Sequence, residues 1–528
     1  MNVHNLSLEL LCHPDTPFVE YVVNGFTDGF NPMISDLPLD NLERKNNLSA
    51  RQNPDVVDAA VKLEVANGYV CGPFSTPLFP VVRINPLGLA VGKYSGKQRL
   101  ILDLSAPHND SHYSINELID KESCSLSYVS IDNAIRIILH LGQNALMCKA
   151  DISDAFKVPL HNDFWPFFGF KWRNAYYFYK RLAFGCRSSP KIFDHLSQAI
   201  CWILKTNYGV KHILHLLDDF LTIDKSDYPA QSTMASLLRL FHQLNIPLSA
   251  KKTMGPTTRL EYLGIILDSS TMTAFLPPDK VRRISMVIDS FLDRQKCTKR
   301  ELLSLLGHLN YASRVIPPGR AFVSYLITLS TTVSQLHHHL SLSAACRTDL
   351  RMWKQFLQQW NGVYFFHDTK ITEAHDIELF TDAAASVGFG GFYQGHWFAE
   401  LWPQDIQASP ALMKSSAFLE LYAINVAAFV WGKQWCTKKI LFRCDNLAVV
   451  QIINKGRAKD KNLMALMRKL TLMSAVDNYV ILAKHVPGIC NEVADCLSRF
   501  QFQRFRRLAP HADLRATQCP NSSELMWS

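Results

Sequence analysis

The sequence predicts a multidomain protein that combines the α+β and α/β classes. The chain has 528 residues and is 48% hydrophobic, which is too long for one core and supplies enough apolar material for two or more. Short apolar runs with strand character alternate with helical patterns, such as those at 281–292 and 299–312. Acidic residues follow several of the apolar runs, in two separate regions of the chain. We therefore expect at least two folded regions, each with its own group of acids.

The first acidic group is the adjacent pair Asp218 and Asp219, which lies between apolar runs at 213–217 and 220–223. This pattern predicts a β-hairpin with the acids at its tip. Asp is depleted from strands, and neighbouring carboxylates repel each other unless a cation lies between them. The pair is interpreted as a Mg²⁺ site, because this ion prefers oxygen ligands. An ordinary acidic turn is the alternative.

Asp151 follows an apolar run at 146–150 and is predicted to lie at the end of a strand. A neighbouring hairpin would then present its two aspartates to the same ions, so that three carboxylates from two segments form one site. Between these segments, Gly185 permits close backbone approach, and Ser189 with Pro190 predicts the start of a helix. The predicted order is strand, glycine loop, helix and hairpin.

In this order and at this spacing, the segments resemble the palm motifs of reverse transcriptases. The resemblance implies that Asp151, Asp218 and Asp219 ligate two ions, Mg²⁺ or alternatively Mn²⁺, that activate a primer 3′-hydroxyl and stabilise charge on the α-phosphate of the nucleotide. The segment 260–267 is similar to the primer-grip hairpin of the same family. Leu216 stands where many retroviral relatives have Tyr, but that position holds no metal ligand, so polymerisation is still expected.

Four further residues are predicted to bind substrate because they match family positions. Lys93 and Arg99 resemble the fingers residues that hold the incoming triphosphate, although a solvated strand edge would show the same pattern. Phe156 falls where the family keeps an aromatic steric gate, which implies a preference for deoxynucleotides; a core aromatic is the alternative. Gly185 would let the backbone lie against the template and the nucleotide.

A second acidic group lies near the carboxyl end. Aromatic-rich, glycine-punctuated segments at 376–382, 388–393 and 396–402 predict three antiparallel strands, the first of which ends at Asp382. Each of these segments is short enough to be a single strand of a small sheet.

Three more acids follow Asp382 along the chain. Glu420 lies on a strongly apolar helical segment, where a buried carboxylate must be paired, protonated or metal-bound. Asp445 ends a short apolar strand, and Asp495 lies on a helix predicted to be capped by Asn491. Each acid taken alone also fits a solvated surface position.

Taken together, these acids are similar to the Asp-Glu-Asp-Asp set of ribonuclease H, and the segment 485–499 resembles its retrotransposon form. The resemblance implies two-metal hydrolysis of the RNA strand of an RNA/DNA hybrid, with water as the nucleophile. His485 could instead be read as a proton shuttle, since histidine commonly takes that role in catalysis. We favour a structural or substrate-contacting role, because it precedes a Pro-Gly turn.

Composition agrees with nucleic-acid partners. The net charge is +9 although acids cluster at two sites, so the remaining surface is expected to be more basic than the total suggests, which suits a polyanion. The expected partners are an RNA template, a DNA primer, deoxynucleoside triphosphates and the RNA/DNA hybrid. The 13 cysteines contain no C-x-x-C pair and predict reduced thiols in an intracellular protein, with cytoplasm or nucleus undetermined. No apolar run is long enough to cross a bilayer, so no membrane partner is expected.

The resemblance implies a right-hand polymerase of fingers, palm and thumb, followed by a ribonuclease H-like mixed-sheet domain. The predicted divisions are an N-terminal extension at 1–75, fingers and palm at 76–275, a helical thumb and connection at 276–365, the ribonuclease H-like domain at 371–503 and a flexible basic tail at 504–528.

The predicted function is an RNA-directed DNA polymerase with ribonuclease H activity that copies retroelement RNA. Segment 315–320 most resembles retrotransposons of the DIRS type, which carry a tyrosine recombinase. No recombinase, protease or capsid region is evident here, so the chain is expected to be either one product of a larger element, with element-encoded recombinase and capsid proteins as partners, or a truncated gene copy. Two alternatives stay open: a decayed or domesticated product that only binds nucleic acid as a scaffold, and a chain in which only the carboxyl nuclease is active.

Overall fold

The structure is a computed structural model that describes residues 1–38, 40–92, 96, 98–108, 112–153, 157–225, 227–359, 364–365, 371–373, 379–487 and 490–526. It divides into two compact units, unit 1 (Met1–Thr258) and unit 2 (Arg259–Ser528). Each unit mixes helices and sheets, which confirms the predicted multidomain α+β class. The finer five-part division stays a prediction. Among the described residues, every helix is too short or too polar to cross a bilayer.

Unit 1 has seven α-helices among its described residues. They are α1 (Val3–Glu9), α2 (Thr16–Thr27), α3 (Leu48–Arg51), α4 (Pro54–Ala66), α5 (Ile131–Leu141), α6 (Ser189–Thr206) and α7 (Asp227–Gln243). The strands are β1 (Leu42–Glu43), β2 (Val70–Phe74), β3 (Arg83–Ile84), β4 (Leu87–Val91), β5 (Gln98–Leu102), β6 (Leu146–Asp151), β7 (Gly169–Trp172), β8 (Ala175–Tyr179), β9 (Ile213–Leu216), β10 (Asp219–Asp224) and β11 (Met254–Thr257). A 3-10 helix spans Asn162–Phe168.

The strands of unit 1 form three sheets. A five-stranded sheet has the order β1-β3-β7-β8-β2, a four-stranded sheet has the order β11-β6-β10-β9, and β4 and β5 form a two-stranded hairpin. In the four-stranded sheet β6 lies between β11 and β10, and all three pairings are antiparallel. The order strand, loop, helix and hairpin is confirmed, since β6 is followed by α6, which begins at Ser189, and then by β9 and β10.

One continuous core supports unit 1. It includes the interior of α6 and the inner residues of β10, such as Phe220. The amino-terminal helices belong to the same core through Leu6, Leu10 and Val22, which are all buried. The N-terminal extension is therefore packed into unit 1.

Unit 2 has twelve α-helices among its described residues. They are α8 (Pro278–Leu292), α9 (Lys299–Ala312), α10 (Ser324–Ser330), α11 (Ala344–Gln359), α12 (Gln404–Gln407), α13 (Pro410–Met413), α14 (Ser416–Trp431), α15 (Leu447–Lys455), α16 (Lys461–Val476), α17 (Glu492–Ser498), α18 (Phe502–Leu508) and α19 (Ser522–Leu525). The strands are β12 (Arg259–Tyr262), β13 (Ile265–Asp268), β14 (Thr273–Phe275), β15 (Lys296–Thr298), β16 (His339–Ser341), β17 (Tyr364–Phe365), β18 (Ile371–Glu373), β19 (Phe380–Ala384), β20 (Gly388–Tyr393), β21 (His396–Leu401), β22 (Lys439–Cys444) and β23 (Val480–His485). Two 3-10 helices span Pro317–Phe322 and Gly432–Trp435.

The carboxyl half of unit 2 contains a parallel and an antiparallel sheet. The parallel sheet has the order β18-β22-β23, and the antiparallel sheet has the order β19-β20-β21, as the sequence predicted for the second. Helix α14 is almost entirely buried and packs on a core that includes residues of β19–β23. A crossover helix between parallel strands and an antiparallel meander together give the mixed arrangement expected of the region.

The carboxyl-terminal residues differ from the prediction of a flexible tail. Residues Arg504, Arg506 and Arg507 lie on α18, and Phe505 of the same helix is fully buried against Phe392. Leu525 of α19 is also fully buried, in the core that contains α14. The two helices are short and polar in sequence, and they are ordered because single apolar side chains fill the core of unit 2.

Two candidate metal centres

The first candidate site lies in the four-stranded sheet of unit 1. The strands β6 and β10 run antiparallel with Asp151 directly opposite Asp219. Asp218 lies in the two-residue turn between β9 and β10, and the Ile152 amide donates to the Asp218 carbonyl at 3.0 Å. The predicted hairpin is confirmed, and the structure brings the three acids of the first group together.

Two lysines face these acids. Asp151 is only 4% exposed, and Lys252 Nζ donates to both of its carboxylate oxygens, at 2.9 and 3.0 Å. Lys149 Nζ lies 3.1 Å from Asp219 Oδ1. Lys149 was not singled out from the sequence, although its position two residues before Asp151 puts both side chains on one face of β6.

The first site strongly favours added positive charge. Burial raises the pKa of Asp218, the charge of Asp151 raises it further, and Lys252 and Lys149 only partly oppose this. Burial also raises the pKa of Asp219, where Lys149 lowers it and Asp151 raises it again. Three half-buried or buried carboxylates with oxygen donors on adjacent strands suit a hard divalent cation, and the donor set fits one.

The predicted substrate-binding residues are only partly described. Arg99 lies on β5 opposite Ala90 and is exposed. Gly185 has a φ of +118°, and a Cβ there would collide with the carbonyl oxygen of Leu102, so glycine is required by close packing against β5. Lys93 and Phe156 lie outside the described residues.

The second candidate site lies in unit 2. Asp382 is the middle residue of β19 and pairs with Gly390, which corrects the prediction that it ends the strand. Glu420 is buried on α14, and Asp445 directly follows β22, as predicted. The ligand atoms of Glu420, Cys444 and Asp445 all lie within 4.8 Å of one another.

The fourth acid, Asp495, is bonded by an arginine at the end of its own helix. Asp495 lies on α17, where Arg499 Nε donates to its Oδ1 at 2.6 Å. Asn491 stands at the cap position but makes no cap hydrogen bond with its side chain, and instead donates to the Thr381 carbonyl at 2.7 Å. The Asn491 side chain therefore links the start of α17 to β19 and does not cap the helix.

A serine connects the first and fourth acids. Ser498 Oγ lies 2.5 Å from Asp382 Oδ2 and 3.0 Å from the Asp495 carbonyl oxygen. Helix α17 can approach this closely because residue 390 has no side chain: a Cβ there would lie 2.5 Å from Leu497 Cβ. Ser498 was missed from the sequence, since only tertiary packing brings it to Asp382.

The acids of the second site perturb one another. Burial raises the pKa of Asp382 to about 6, with Ser498 lowering it and Asp495 and Asp445 raising it. Burial, followed by the charges of Asp382 and Asp445, raises the pKa of Glu420 well above its usual range. The four predicted acids thus share one electrostatic environment. Their oxygen donors and mutual repulsion fit divalent cations.

Cys444 is a poor ligand for such an ion. Burial raises the pKa of its thiol to about 12, so it stays protonated, and a hard cation prefers the carboxylates.

Asn446 and His485 fix the end of β22. Asn446 accepts from the amides of Ala448 and Val449 and donates to Ser416 Oγ of α14 at 3.0 Å, which ties the Asp445 segment to the helix that carries Glu420. His485 Nε2 lies 3.1 Å from the Asp445 carbonyl oxygen. This contact agrees with a structural role for His485.

Comparisons with known proteins identify part of the chain. Residues 86–267 match the family model for reverse transcriptase (RNA-dependent DNA polymerase). The enzymatic polyprotein of Figwort mosaic virus (strain DxS) is 22% identical over 263 residues, which cover 45% of this chain and 38% of the polyprotein. The chain therefore spans well under half the length of this curated relative.

Solved structures of foamy viral protease-reverse transcriptases are also similar. One in complex with double-stranded DNA aligns over 92% of this chain and 82% of its own, with a TM-score of 0.49 and 14% identity. Another, in complex with an RNA/DNA hybrid, aligns over 92% of this chain and 63% of its own, with a TM-score of 0.47 and 12% identity.

Residues 86–267 are thus similar to reverse transcriptases, and part of the chain is similar to a viral enzymatic polyprotein. All three acids of the first site lie within the matched residues.

Proposed function

We propose that the protein is an RNA-directed DNA polymerase with ribonuclease H activity, which copies retroelement RNA into DNA and hydrolyses the RNA strand of the resulting hybrid. The observation that carries the proposal is the pairing of Asp151 with Asp219, beside Asp218, inside the segment that matches reverse transcriptases. Its partners are an RNA template, a DNA primer, deoxynucleoside triphosphates and the RNA/DNA hybrid.

In the polymerase reaction, Asp151, Asp218 and Asp219 would hold two Mg²⁺ ions, which supply positive charge at the attacking hydroxyl and at the α-phosphate. Lys252 and Lys149 partly neutralise the acids, which lets three carboxylates stay together where β6, β10 and the turn before β10 meet. Arg99, Lys93, Phe156 and Gly185 are proposed to contact the nucleotide and template.

In the nuclease reaction, Asp382, Glu420, Asp445 and Asp495 would hold the ions that activate a water and stabilise the leaving 3′-hydroxyl. Ser498 keeps Asp382 against α17, and Asn446 keeps Asp445 against α14. These neutral donors fix the positions of the acids without competing for the cation.

The polymerase is tested by primer extension on poly(rA)/oligo(dT) with Mg²⁺. Asp218→Asn is expected to slow extension by more than about 100-fold, since the loss of a metal ligand should exceed the 10–100-fold effect of losing an outer partner. The matched control is Asp132→Asn, an exposed aspartate in the first turn of α5. Extension by Asp218→Asn at the wild-type rate would refute the assignment of the palm.

The nuclease is tested by cleavage of a labelled RNA/DNA hybrid. Asp445→Asn is expected to abolish cleavage and leave primer extension intact, whereas Asp460→Asn, at the exposed cap of α16, should leave both intact. Folded wild-type protein that binds the hybrid but performs neither reaction would favour the scaffold function. Wild-type protein that extends no primer, but cleaves the hybrid and loses cleavage with Asp445→Asn and not with Asp218→Asn, would favour the nuclease alone.

We also propose a source in a DIRS-type retroelement, based on the resemblance of segment 315–320. The neighbouring genomic sequence tests this, since an adjacent tyrosine recombinase gene is expected. An adjacent integrase of another type would contradict it.

A further inference from the structure

One face of α6 lies against the hairpin that carries Asp218 and Asp219. Asp194, Ser197 and Cys201 are spaced by three and four residues, so they share this face. Asp194 and Cys201 contact His215, and Ser197 contacts Leu217. Helix α6 therefore contacts His215 of β9 and Leu217 of the turn, which lie three residues and one residue before Asp218.

Leu217 has an unusual backbone. Its φ is +53°, a left-handed conformation that glycine adopts freely and a bulky side chain adopts only under strain. The fully buried Ser197 donates its hydroxyl to the Leu217 carbonyl at 2.7 Å. A mid-helix serine usually bonds to its own helix, so this contact across to the turn is a specific restraint.

His215 makes the second connection. Its Nε2 lies 3.1 Å from Asp194 Oδ1, and Gln198 donates to the other oxygen of Asp194 at 2.7 Å. Burial alone would raise the pKa of Asp194, but the hydrogen bonds from His215 and Gln198 outweigh it and hold the pKa below its usual value. His215 also stacks on Phe220, its cross-strand neighbour on β10.

Cys201 sets the orientation of the His215 ring. Its Sγ lies 3.3 Å from His215 Nδ1, and burial raises the pKa of the thiol to about 12. Both ring nitrogens of His215 therefore have a partner on α6, Cys201 at Nδ1 and Asp194 at Nε2. Cysteine, histidine and aspartate in this order also form nucleophilic triads, but a buried, protonated thiol excludes that chemistry here.

We propose that Ser197 and His215 are positioning residues, which hold the Leu217–Asp218 turn against α6 so that Asp218 and Asp219 face Asp151. This inference rests on the proposed polymerase function. Neither residue touches the substrate. Ser197 acts by holding a strained turn in place, and His215 acts by tying β9 to Asp194.

The expected effect of Ser197→Ala is a weakening of divalent-cation binding by about fivefold, which corresponds to the loss of one buried hydrogen bond. The rate constant kcat for nucleotide incorporation should fall with it, while KM for primer–template stays the same. His215→Gln keeps a donor for Asp194, so its divalent-cation affinity should fall by less than twofold. His215→Ala should lower the divalent-cation affinity about tenfold, because it removes a hydrogen bond to the charged carboxylate of Asp194.

The test measures Mn²⁺ binding by electron paramagnetic resonance in an Asp445→Asn background, which disables the second site. Ser197→Ala is compared with Ser330→Ala, a buried serine of α10 whose hydroxyl also donates to a backbone carbonyl at 2.7 Å. The control should bind Mn²⁺ like its parent. Thermal melting and circular dichroism check that each variant is folded.

A second variant separates positioning from general stability. Glycine adopts the turn conformation without strain. In a Leu217→Gly background, Ser197→Ala should therefore change Mn²⁺ affinity by less than about twofold, against about fivefold alone. An equal loss in both backgrounds would overturn the positioning role.

The outcomes separate failure of the proposed polymerase function from failure of the positioning role alone. If the Asp445→Asn parent neither binds Mn²⁺ nor extends primers, the proposed polymerase function fails, and the positioning role fails with it. If the parent does both and Ser197→Ala matches it in Mn²⁺ affinity and kcat, only the positioning role is refuted.

Discussion

Asp382→Asn is expected to stabilise the metal-free protein while abolishing hybrid cleavage. The structure buries Asp382 beside Asp445 and Asp495, which raises its pKa from 3.8 to about 6. At pH values above both of these pKa values, the ionised Asp382 carboxylate destabilises the folded protein by about 3 kcal/mol, at 1.36 kcal/mol for each unit of pKa. Asparagine has the same shape and no charge, and its amide oxygen still accepts from Ser498.

The sign of the pH dependence follows from the raised pKa. The folded state binds the proton more tightly than the unfolded state, so stability is greatest below pH 4, falls as pH rises toward 6 and is constant above that. The gain from Asp382→Asn should therefore be about 3 kcal/mol at pH 7.5 and only about 1 kcal/mol at pH 4.5.

Calorimetric melting in EDTA measures this difference. The transition of unit 2 should rise by about 5–10 °C at pH 7.5 and by much less at pH 4.5. Added Mg²⁺ should narrow the gap, since it binds and stabilises the wild type better than the variant. The control, Asp460→Asn, should melt like the wild type. If Asp382→Asn melts below the wild type at pH 7.5 in EDTA, or if its melting temperature rises equally at both pH values, Asp382 does not have a raised pKa in the folded protein.

Two further changes test other parts of unit 2. Glu301→Ala removes a capping box with Thr298 and an ion pair with Arg294, and should cost about 1 kcal/mol near pH 7, as measured by thermal melting. The backbone of Thr298, then Arg294, lowers the pKa of Glu301 to about 2, so in the wild type this contribution should disappear as pH falls from about 4.5 toward 2. Gly390→Ala should push α17 away from β20, since the new Cβ would lie 2.5 Å from Leu497 Cβ; hybrid cleavage should fall while primer extension is unchanged, and equal losses in both assays would contradict this.

The strands and the hairpin of the first site were predictable because their sequence patterns are local. Apolar runs that end in acids predict strands and a hairpin, and antiparallel pairing then brings Asp219 opposite Asp151. For the second group of acids, the positions of Glu420 on a buried helix and of Asp445 after a strand were predictable, and that of Asp382 was not. Asp382 falls in mid-strand because pairing with β20 continues past it to Ala384, which no propensity near residue 382 reveals.

Residues that act through long-range packing could not be found in the sequence. Ser498 reaches Asp382 across 116 positions, and Ser197 reaches a turn twenty residues away from the middle of a helix. The carboxyl tail was predicted as flexible because its composition is polar. Its order depends on Phe505 and Leu525, single side chains whose burial is decided by the rest of unit 2.

The register between β6 and β10 makes the length of these strands as important as their composition. Successive strand residues point to opposite faces and advance by about 3.3 Å, so one inserted or deleted codon in either strand would turn an aspartate away from its partners. Such a change would preserve every acid in an alignment and still disable the proposed polymerase site. Among related genes, an in-frame gap within 146–151 or 219–224 should therefore identify an inactive copy more reliably than many substitutions elsewhere.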